Sequence, residues 1–365
     1  MMKNKITLYI FVSLLAIILG FNCQNEPTIA TNTVAEKGDI THIELPISQD
    51  NALKFKGLSF VAPPRPFSKM PMMDVKAVKA TWIAVIPYGY TKIGEPRVHY
   101  SSTDGQWWGE TNTGVNITID SAHQAGLNVM LKPQVYVPNG WTGSLDYTTD
   151  ADWERWESDY EKYLMPFVHM AAEKNVAMVC VGTEFKIGAV KREKFWRSLI
   201  AKVRAIYKGK LTYAANWDEY AQIPFWDALD YAGINAYFPL VQKTTPSVSE
   251  LLEAWKPHHE AITNFYKKIK KPILFTEFGY LSADGCAYNS WEVEKRIHET
   301  NINEQAQANA FDGLFATFWK EEWWGGGFLW KWFPEGMGHE GYFAKDYTPQ
   351  GKKSEKVLKK WYGLR

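Results

Sequence analysis

Residues 177–185 read AMVCVGTEF, a short run of apolar and β-branched residues that ends at a glutamate and an aromatic residue. A run of this kind is typical of a strand that is buried on both faces of a parallel sheet. The preceding residues, 152–174, place large apolar side chains at helical spacing. This order of helix and strand is the unit from which the fold is predicted.

The same unit recurs along the chain. Eight runs are predicted as strands, at residues 57–61, 81–86, 128–135, 177–182, 211–215, 231–236, 273–276 and 327–332. Amphipathic stretches predicted as helices lie between or after them, at residues 116–125, 152–174, 194–207, 248–268, 303–319 and 355–362. Eight repeats over about 300 residues favour a single (β/α)8 TIM barrel over an open α/β sheet. No interior linker marks a second domain, so residues 51–365 are predicted as one barrel.

Composition excludes several classes of protein. The chain has 365 residues, of which 46% are hydrophobic, so it can form a large core and is not a disordered protein. The 41 basic residues nearly balance the 40 acidic ones, which gives no electrostatic reason to expect a nucleic-acid partner. Three cysteines without metal-ligand spacing indicate neither a disulfide scaffold nor a zinc site, and no metal or cofactor is expected. The 17 tryptophans provide flat faces of the kind that a sugar-binding cleft uses.

The N-terminus has the pattern of an export signal. Lys3 and Lys5 precede an apolar run that is too short for a stable membrane span, and Cys23 follows it. We interpret residues 1–22 as a lipoprotein-type signal peptide, Cys23 as the lipidated residue, and residues 23–50 as a polar tether. The prediction is an exported lipoprotein of the bacterial cell envelope, with a lipid anchor in the membrane. The alternatives are an uncleaved anchor helix and ordinary cleavage.

Two glutamates close predicted strands at the end where barrel enzymes carry their chemistry. Glu184 ends the fourth strand and Glu277 ends the seventh. Either could simply be held by a basic side chain at the rim, because a lone buried carboxylate costs several kcal/mol. Two carboxyl groups across one cleft can also have different roles, one as a proton donor and the other as a nucleophile. Hydrolysis of a glycosidic bond requires these two roles.

The segments around these strand ends resemble glycoside hydrolase family 113, a β-1,4-mannanase family within clan A of the retaining glycoside hydrolases. The resemblance covers residues 55–365 and rests on KPQ at 132–134, GTEF at 182–185, AANW at 214–217, GINAYFP at 233–239, TEFGY at 276–280 and FLWKW at 328–332. It implies that Glu184 is the acid/base and Glu277 the nucleophile. Thr183, where many clan A members have asparagine, agrees with family 113.

Further residues at the strand ends are candidates for supporting roles. The Tyr237 hydroxyl could donate to Glu277 and keep it ionised, or it could bond to the backbone in the core. The Trp330 indole could form the floor beneath the sugar, or it could pack in the barrel. Four more side chains suit sugar hydroxyls or rings, namely Asn216, Trp217, Lys132 and Gln134. In the long connection at residues 88–112, Trp107 and Trp108 could line an outer subsite or anchor the loop.

Three hypotheses remain open from the sequence. The first is an exported, retaining hydrolase of β-mannan or manno-oligosaccharides that acts as a monomer by double displacement through an ester at Glu277. The second uses the same pair on another β-linked glycan, because the fold does not determine the substrate. The third is a surface lipoprotein that binds glycans without turnover. The presence of both glutamates argues against the third hypothesis.

Overall fold

Eight parallel strands close into a barrel in the computed structural model, which describes residues 54–101, 105–336 and 341–364. In order around the ring they are β1 (Phe55–Phe60), β2 (Trp82–Val85), β4 (Asn128–Leu131), β6 (Met178–Thr183), β7 (Lys210–Asn216), β8 (Tyr231–Asn235), β9 (Ile273–Phe278) and β10 (Trp324–Trp332). Two short strands, β3 (Tyr88–Tyr90) and β5 (Gln134–Tyr136), pair as a separate parallel sheet just beyond β2 and β4. The predicted (β/α)8 barrel is confirmed, although the predicted strand at 128–135 is divided into β4 and β5.

Helices follow the strands in chain order. They are α1 (Met72–Ala77), α2 (Asn112–Gln124), α3 (Asp150–Glu173), α4 (Lys186–Lys191), α5 (Glu193–Ile206), α6 (Val248–Ile269), α7 (Ser290–Lys295), α8 (Glu304–Phe318) and α9 (Lys353–Tyr362). Side-chain caps define where the longest ones begin. Thr149 accepts a hydrogen bond from the Asp152 amide at the start of α3, and Ser247 with Glu250 forms a capping box at the start of α6. Each cap satisfies amide groups that a helix leaves unpaired in its first turn.

The N-terminal region lies outside the described residues, and with it the predicted signal peptide, Cys23 and tether. Within residues 54–101, 105–336 and 341–364, none of the helices combines the length and the apolar character that a membrane crossing needs.

Side chains on the two faces of the strands form two separate cores. The interior of the barrel is filled by a small cluster, Ala84, Ile86, Met130, Met178, Cys180, Ala214, Leu274 and Phe328. At the N-terminal end of the barrel, Phe55 packs against Trp82 and Tyr231, with ring centroids 4.7 and 5.2 Å apart. The larger core lies between the strands and the helices. Because these side chains fill the interior of the barrel, a ligand can reach only the C-terminal ends of the strands.

The residues that follow β4 continue its alternation, so side chains in line with its inner face lie at the C-terminal end of the barrel. Met130 belongs to the interior cluster, whereas Val129 and Leu131 belong to the outer core. Every second residue therefore faces the barrel axis, and the next two in this series are Lys132 and Gln134. Both are buried, with 0% and 9% of their surface exposed.

On β9 the alternation is interrupted, and the interruption turns Glu277 inward. Leu274 faces the interior and Phe275 faces the outer core, so strict alternation would send Glu277 outward. The pairing with β8 instead shifts by one residue, from Ile234 opposite Phe275 to Asn235 opposite Glu277. An extra residue in one strand turns the side chains that follow it to the opposite face of the sheet. The irregularity directs Glu277 into the C-terminal end of the barrel.

We predict that Gly57→Ala destabilises the barrel. A Cβ on Gly57 would lie 2.4–2.8 Å from ring atoms of Phe328, a buried member of the interior cluster. Overpacking of this kind costs about 1–3 kcal/mol. The matched control is Gly325→Ala, whose Cβ would meet its neighbours at an ordinary 3.5 Å. Urea unfolding should show a lower free energy of unfolding for Gly57→Ala than for the control, and equal values would contradict this account of the interior packing.

Candidate active site

Glu277 is a buried carboxylate surrounded by hydrogen-bond donors. Only 7% of its surface is exposed. Its Oε1 accepts from the ammonium of Lys132 and, at 2.7 Å, from the amide nitrogen of Gln134. Its Oε2 accepts from the Tyr237 hydroxyl at 3.0 Å, which is one of the two positions that the sequence left open for Tyr237. These three donors come from two sides of the barrel and meet at one side chain.

The donors around Glu277 compensate for the burial of its carboxylate. A buried charge leaves its hydration behind, which costs free energy unless other groups replace the water. Lys132 offsets that cost, since its ammonium is itself fully buried and forms an ion pair with the carboxylate. The sequence predicted Lys132 and Gln134 as donors to sugar hydroxyls, but the structure directs both nitrogens to Glu277. Lys132 and Gln134 therefore bind a candidate catalytic residue directly.

The backbone at the end of β6 holds Glu184 in an uncommon conformation. Its φ is 55°, in the left-handed region that L-residues rarely adopt. Hydrogen bonds on either side hold it there. The Glu184 amide donates to the Ala214 carbonyl at 2.8 Å, and the Phe185 amide donates to the Tyr213 hydroxyl at 2.8 Å. The turn ends the strand sharply and directs the side chain across the cleft.

Each oxygen of the Glu184 carboxyl group accepts one hydrogen bond. The Trp141 indole nitrogen donates to Oε2 at 2.6 Å, and the Asn235 amide nitrogen donates to Oε1 at 2.8 Å. The orientation of the Asn235 amide follows from its other partner, because its oxygen accepts from the Thr276 hydroxyl at 2.8 Å. Glu184 is half-buried, so part of the carboxyl group still faces the cleft.

Burial raises the pKa of the Glu184 carboxyl, and the negative charge of Glu277 raises it further. The hydrogen bonds from Trp141 and Asn235 and the charge of Lys132 act in the opposite direction, because they stabilise the carboxylate. The net direction is upward, so Glu184 keeps its proton to a higher pH than an ordinary glutamate. The two glutamates thus have different surroundings: Glu277 forms an ion pair with a buried cation, and Glu184 accepts from two neutral donors and has a raised pKa.

The remaining predicted residues of the strand ends lie around this pair. Trp330 ends the inward series of β10, is half-buried and packs on both cores. The Asn216 side chain donates to Asp218 at 3.1 Å. Trp217 stacks on Trp291 with ring centroids 6.0 Å apart and planes 16° from parallel. Among the hydrogen bonds that the structure shows, none joins these three side chains to either glutamate within the described residues.

The two tryptophans of the long connection differ in position. Trp108 begins a single 3₁₀ turn, Trp108–Glu110, and its ring meets the edge of Phe67 at a centroid distance of 5.3 Å. It therefore anchors the loop to the segment that follows β1. Trp107 has 42% of its surface exposed.

Sequence reasoning missed the two donors on Glu184. Asn235 could have been found, because it ends β8 two residues before Tyr237, and continued alternation places both on the same face. Trp141 gave no comparable signal. It lies in a loop between β5 and α3, 43 residues before its partner, and only the folded chain brings them together.

Across the described parts of the chain, no group of three or more His, Cys, Asp or Glu side chains is placed to hold a metal ion.

Comparisons with known proteins identify the family of the chain. Two solved structures of GH113 β-1,4-mannanase, one of them a complex, are 26% identical to this chain, with TM-scores of 0.73 and 0.72, and the matches cover 86% of this chain and 100% of theirs. The GH113 β-mannanase AaManA from Alicyclobacillus acidocaldarius, in complex with ManMIm, is 24% identical with a TM-score of 0.73, over 85% of this chain and 97% of that one. A search of curated proteins found no match. The family model described as Glycoside Hydrolase Family 113 matches residues 65–352. The chain belongs to glycoside hydrolase family 113.

Proposed function

We propose that this protein hydrolyses β-1,4-mannosidic bonds in mannan or manno-oligosaccharides with retention of configuration. The observation that carries the proposal is the opposite environment of two glutamates at one end of a barrel. Glu277 accepts from Lys132, Gln134 and Tyr237, whereas burial and the charge of Glu277 raise the pKa of Glu184. A nucleophile needs partners that accommodate its negative charge, and a general acid needs a raised pKa.

In the first step Glu277 acts as nucleophile. Its carboxylate oxygen forms a bond to the anomeric carbon while the bond from that carbon to the glycosidic oxygen breaks. Glu184 transfers its proton to the departing oxygen, so the leaving sugar departs as a neutral alcohol. The products of this step are a free sugar chain and an ester between Glu277 and the remaining sugar.

In the second step Glu184 acts as base. The negative charge that Glu277 carried is now in the ester, so one of the two causes that kept Glu184 protonated is gone. Glu184 takes a proton from water, the water oxygen bonds to the anomeric carbon, and the ester bond breaks. Two displacements at the same carbon restore the original configuration.

The choice of mannan rests on the relatives. The solved structures at 26% identity are described as β-1,4-mannanases and match across their whole length. A β-glucuronidase from Ruminococcus gnavus, in complex with D-glucuronic acid, has a TM-score of 0.57 at 14% identity, over 85% of this chain and 49% of that one, and shares only the fold. The barrel therefore does not select a sugar by itself, and another β-linked glycan is the alternative outcome of the test below.

We also propose that the enzyme works as a monomeric lipoprotein of the cell envelope. Both glutamates and all their hydrogen-bond donors belong to one chain, which supports a site that is complete in the monomer. The order of basic, apolar and cysteine residues at the N-terminus supports export and lipidation at Cys23.

The first prediction concerns the reaction. The purified chain without residues 1–40 should release reducing ends from β-1,4-mannan far faster than from cellulose or xylan, and NMR should detect the β-anomer first. Glu277→Ala, which lacks the nucleophile, should be inactive on all three polymers. Preference for cellulose or xylan would identify another β-glycan hydrolase. Binding without turnover by the wild-type protein would identify a glycan-binding lipoprotein.

The second prediction separates the roles of the two glutamates. Glu184→Ala should lower kcat/KM on mannan by about 10²- to 10⁴-fold, because the leaving sugar needs a proton. An activated aryl mannoside should lose much less, because its leaving group departs without protonation. In the wild type, kcat/KM on mannan should fall as the pH rises through the raised pKa of Glu184. Equal losses on both substrates would contradict the assignment of Glu184 as acid.

The third prediction concerns location. In the producing bacterium, Cys23→Ser should leave the protein without a lipid anchor, because the serine cannot form the thioether. The variant should move from the membrane fraction to the soluble fraction or the medium, and metabolic labelling with a fatty-acid analogue should be lost. A variant that remains equally membrane-bound would show that Cys23 is not the anchor.

A further inference from the structure

Both groups that form hydrogen bonds with the Glu184 carboxyl group are donors. The indole nitrogen of Trp141 has no lone pair to accept a hydrogen bond, and the Asn235 side chain presents its amide nitrogen because its oxygen is bonded to Thr276. Neither group can accept the proton of the neutral acid. That proton is therefore left to point into the cleft, where a glycosidic oxygen would take it.

Trp141 is held in place by its own surroundings. A Cβ on Gly143 would lie 2.3–2.5 Å from the six-membered ring of the indole, so glycine is required for the loop to approach the ring this closely. Lys186, in α4, places its ammonium 5.8 Å from the centre of the same ring, and an ion pair with Asp218 at 2.5 Å holds that lysine. These contacts hold the indole in the orientation that directs its N–H at Glu184.

We propose that Trp141 is a positioning residue that orients the Glu184 carboxyl group and sets the pH range over which Glu184 acts. The proposal rests on the assignment of Glu184 as acid/base under the proposed function. A donor at 2.6 Å binds the carboxylate more strongly than the neutral acid, so it favours release of the proton. It also stabilises the base that the second step requires.

Other ionisable groups act on Glu184 and must be separated from Trp141. They lie on two strands and in three segments just beyond strand ends, namely Tyr213 and Glu277 on β7 and β9, and Lys132, Glu219 and Tyr237 after β4, β7 and β8. Glu219 is the closest competitor as the source of an alkaline pH limb, because burial raises its pKa to about 8. Its Oε1 accepts a hydrogen bond from the backbone amide of Asn216 at 2.9 Å. Among the described residues, no hydrogen bond joins Glu219 to Glu184.

The test is the pH dependence of kcat/KM on mannan for Trp141→Phe. Phenylalanine keeps an aromatic ring but has no N–H, so the alkaline limb should move upward by about one pH unit. The control is Trp361→Phe in α9, which removes an indole–carboxylate hydrogen bond of the same 2.6 Å length, to Asp312 in α8. That control should leave the limb in place. A uniform loss of activity at every pH would show a merely structural role and would overturn the proposal.

A second variant displaces the indole without removing its N–H. Gly143→Ala should push the ring away from Glu184 and move the alkaline limb in the same direction as Trp141→Phe. Glu219→Gln should leave the limb present. If Glu219→Gln abolished the limb and Trp141→Phe left it unmoved, the limb would belong to Glu219 and the proposal would be wrong.

A direct titration separates this proposal from the proposed function. Carbon-13 labelling of the glutamate carboxyl groups lets NMR follow Glu184 without substrate, assigned by its loss in Glu184→Gln. The pKa of Glu184 should be higher in Trp141→Phe than in the wild type and unchanged in Trp361→Phe. An inactive wild-type protein would refute the hydrolase, whereas an unchanged pKa in Trp141→Phe would refute the role of Trp141 alone.

Discussion

The ion pair between Lys132 and Glu277 is the interaction on which the site depends. Both side chains are nearly or fully buried, and removal of one partner from such a pair typically costs about 3–5 kcal/mol because the other charge is left uncompensated. β4 and β9 lie on opposite sides of the ring, so the pair can form only when the barrel is closed. The closed barrel thereby brings a buried cation to the carboxylate of Glu277, and this is what a nucleophile on a sugar requires.

The state of Glu184 depends on that same charge. The negative charge of Glu277 adds to burial in raising the pKa of Glu184, while Trp141 and Asn235 oppose the shift with hydrogen bonds that stabilise the anion. The surroundings of the two carboxyl groups in one cleft therefore differ. Because the charge disappears when Glu277 forms an ester, the balance at Glu184 changes in the direction that the second step needs.

Backbone geometry places the two carboxyl groups, and in both cases it departs from regular strand structure. β6 ends with Glu184 at a φ of 55°, and β9 shifts its register against β8 so that Glu277 lies opposite Asn235. On a regular β9, Glu277 would have faced the apolar core beneath the helices, where no cation would meet it. Irregularities of this kind are common beside active sites because they change the direction of a single side chain.

The sequence by itself determined the barrel, because short apolar runs alternate with amphipathic stretches along the chain, an order that only a few folds accommodate. It also determined that Glu184 and Glu277 lie at strand ends, and the hydrogen bond from Tyr237 to Glu277 is one of the two positions that it left open for Tyr237. The tertiary structure alone decided what the other donors do. Alternation shows which way Lys132 and Gln134 face, but only closure of the ring shows that Glu277 lies opposite them. Trp141 comes from a loop without periodicity, so its contact with Glu184 follows from the packing of that loop around Gly143, which no local pattern encodes.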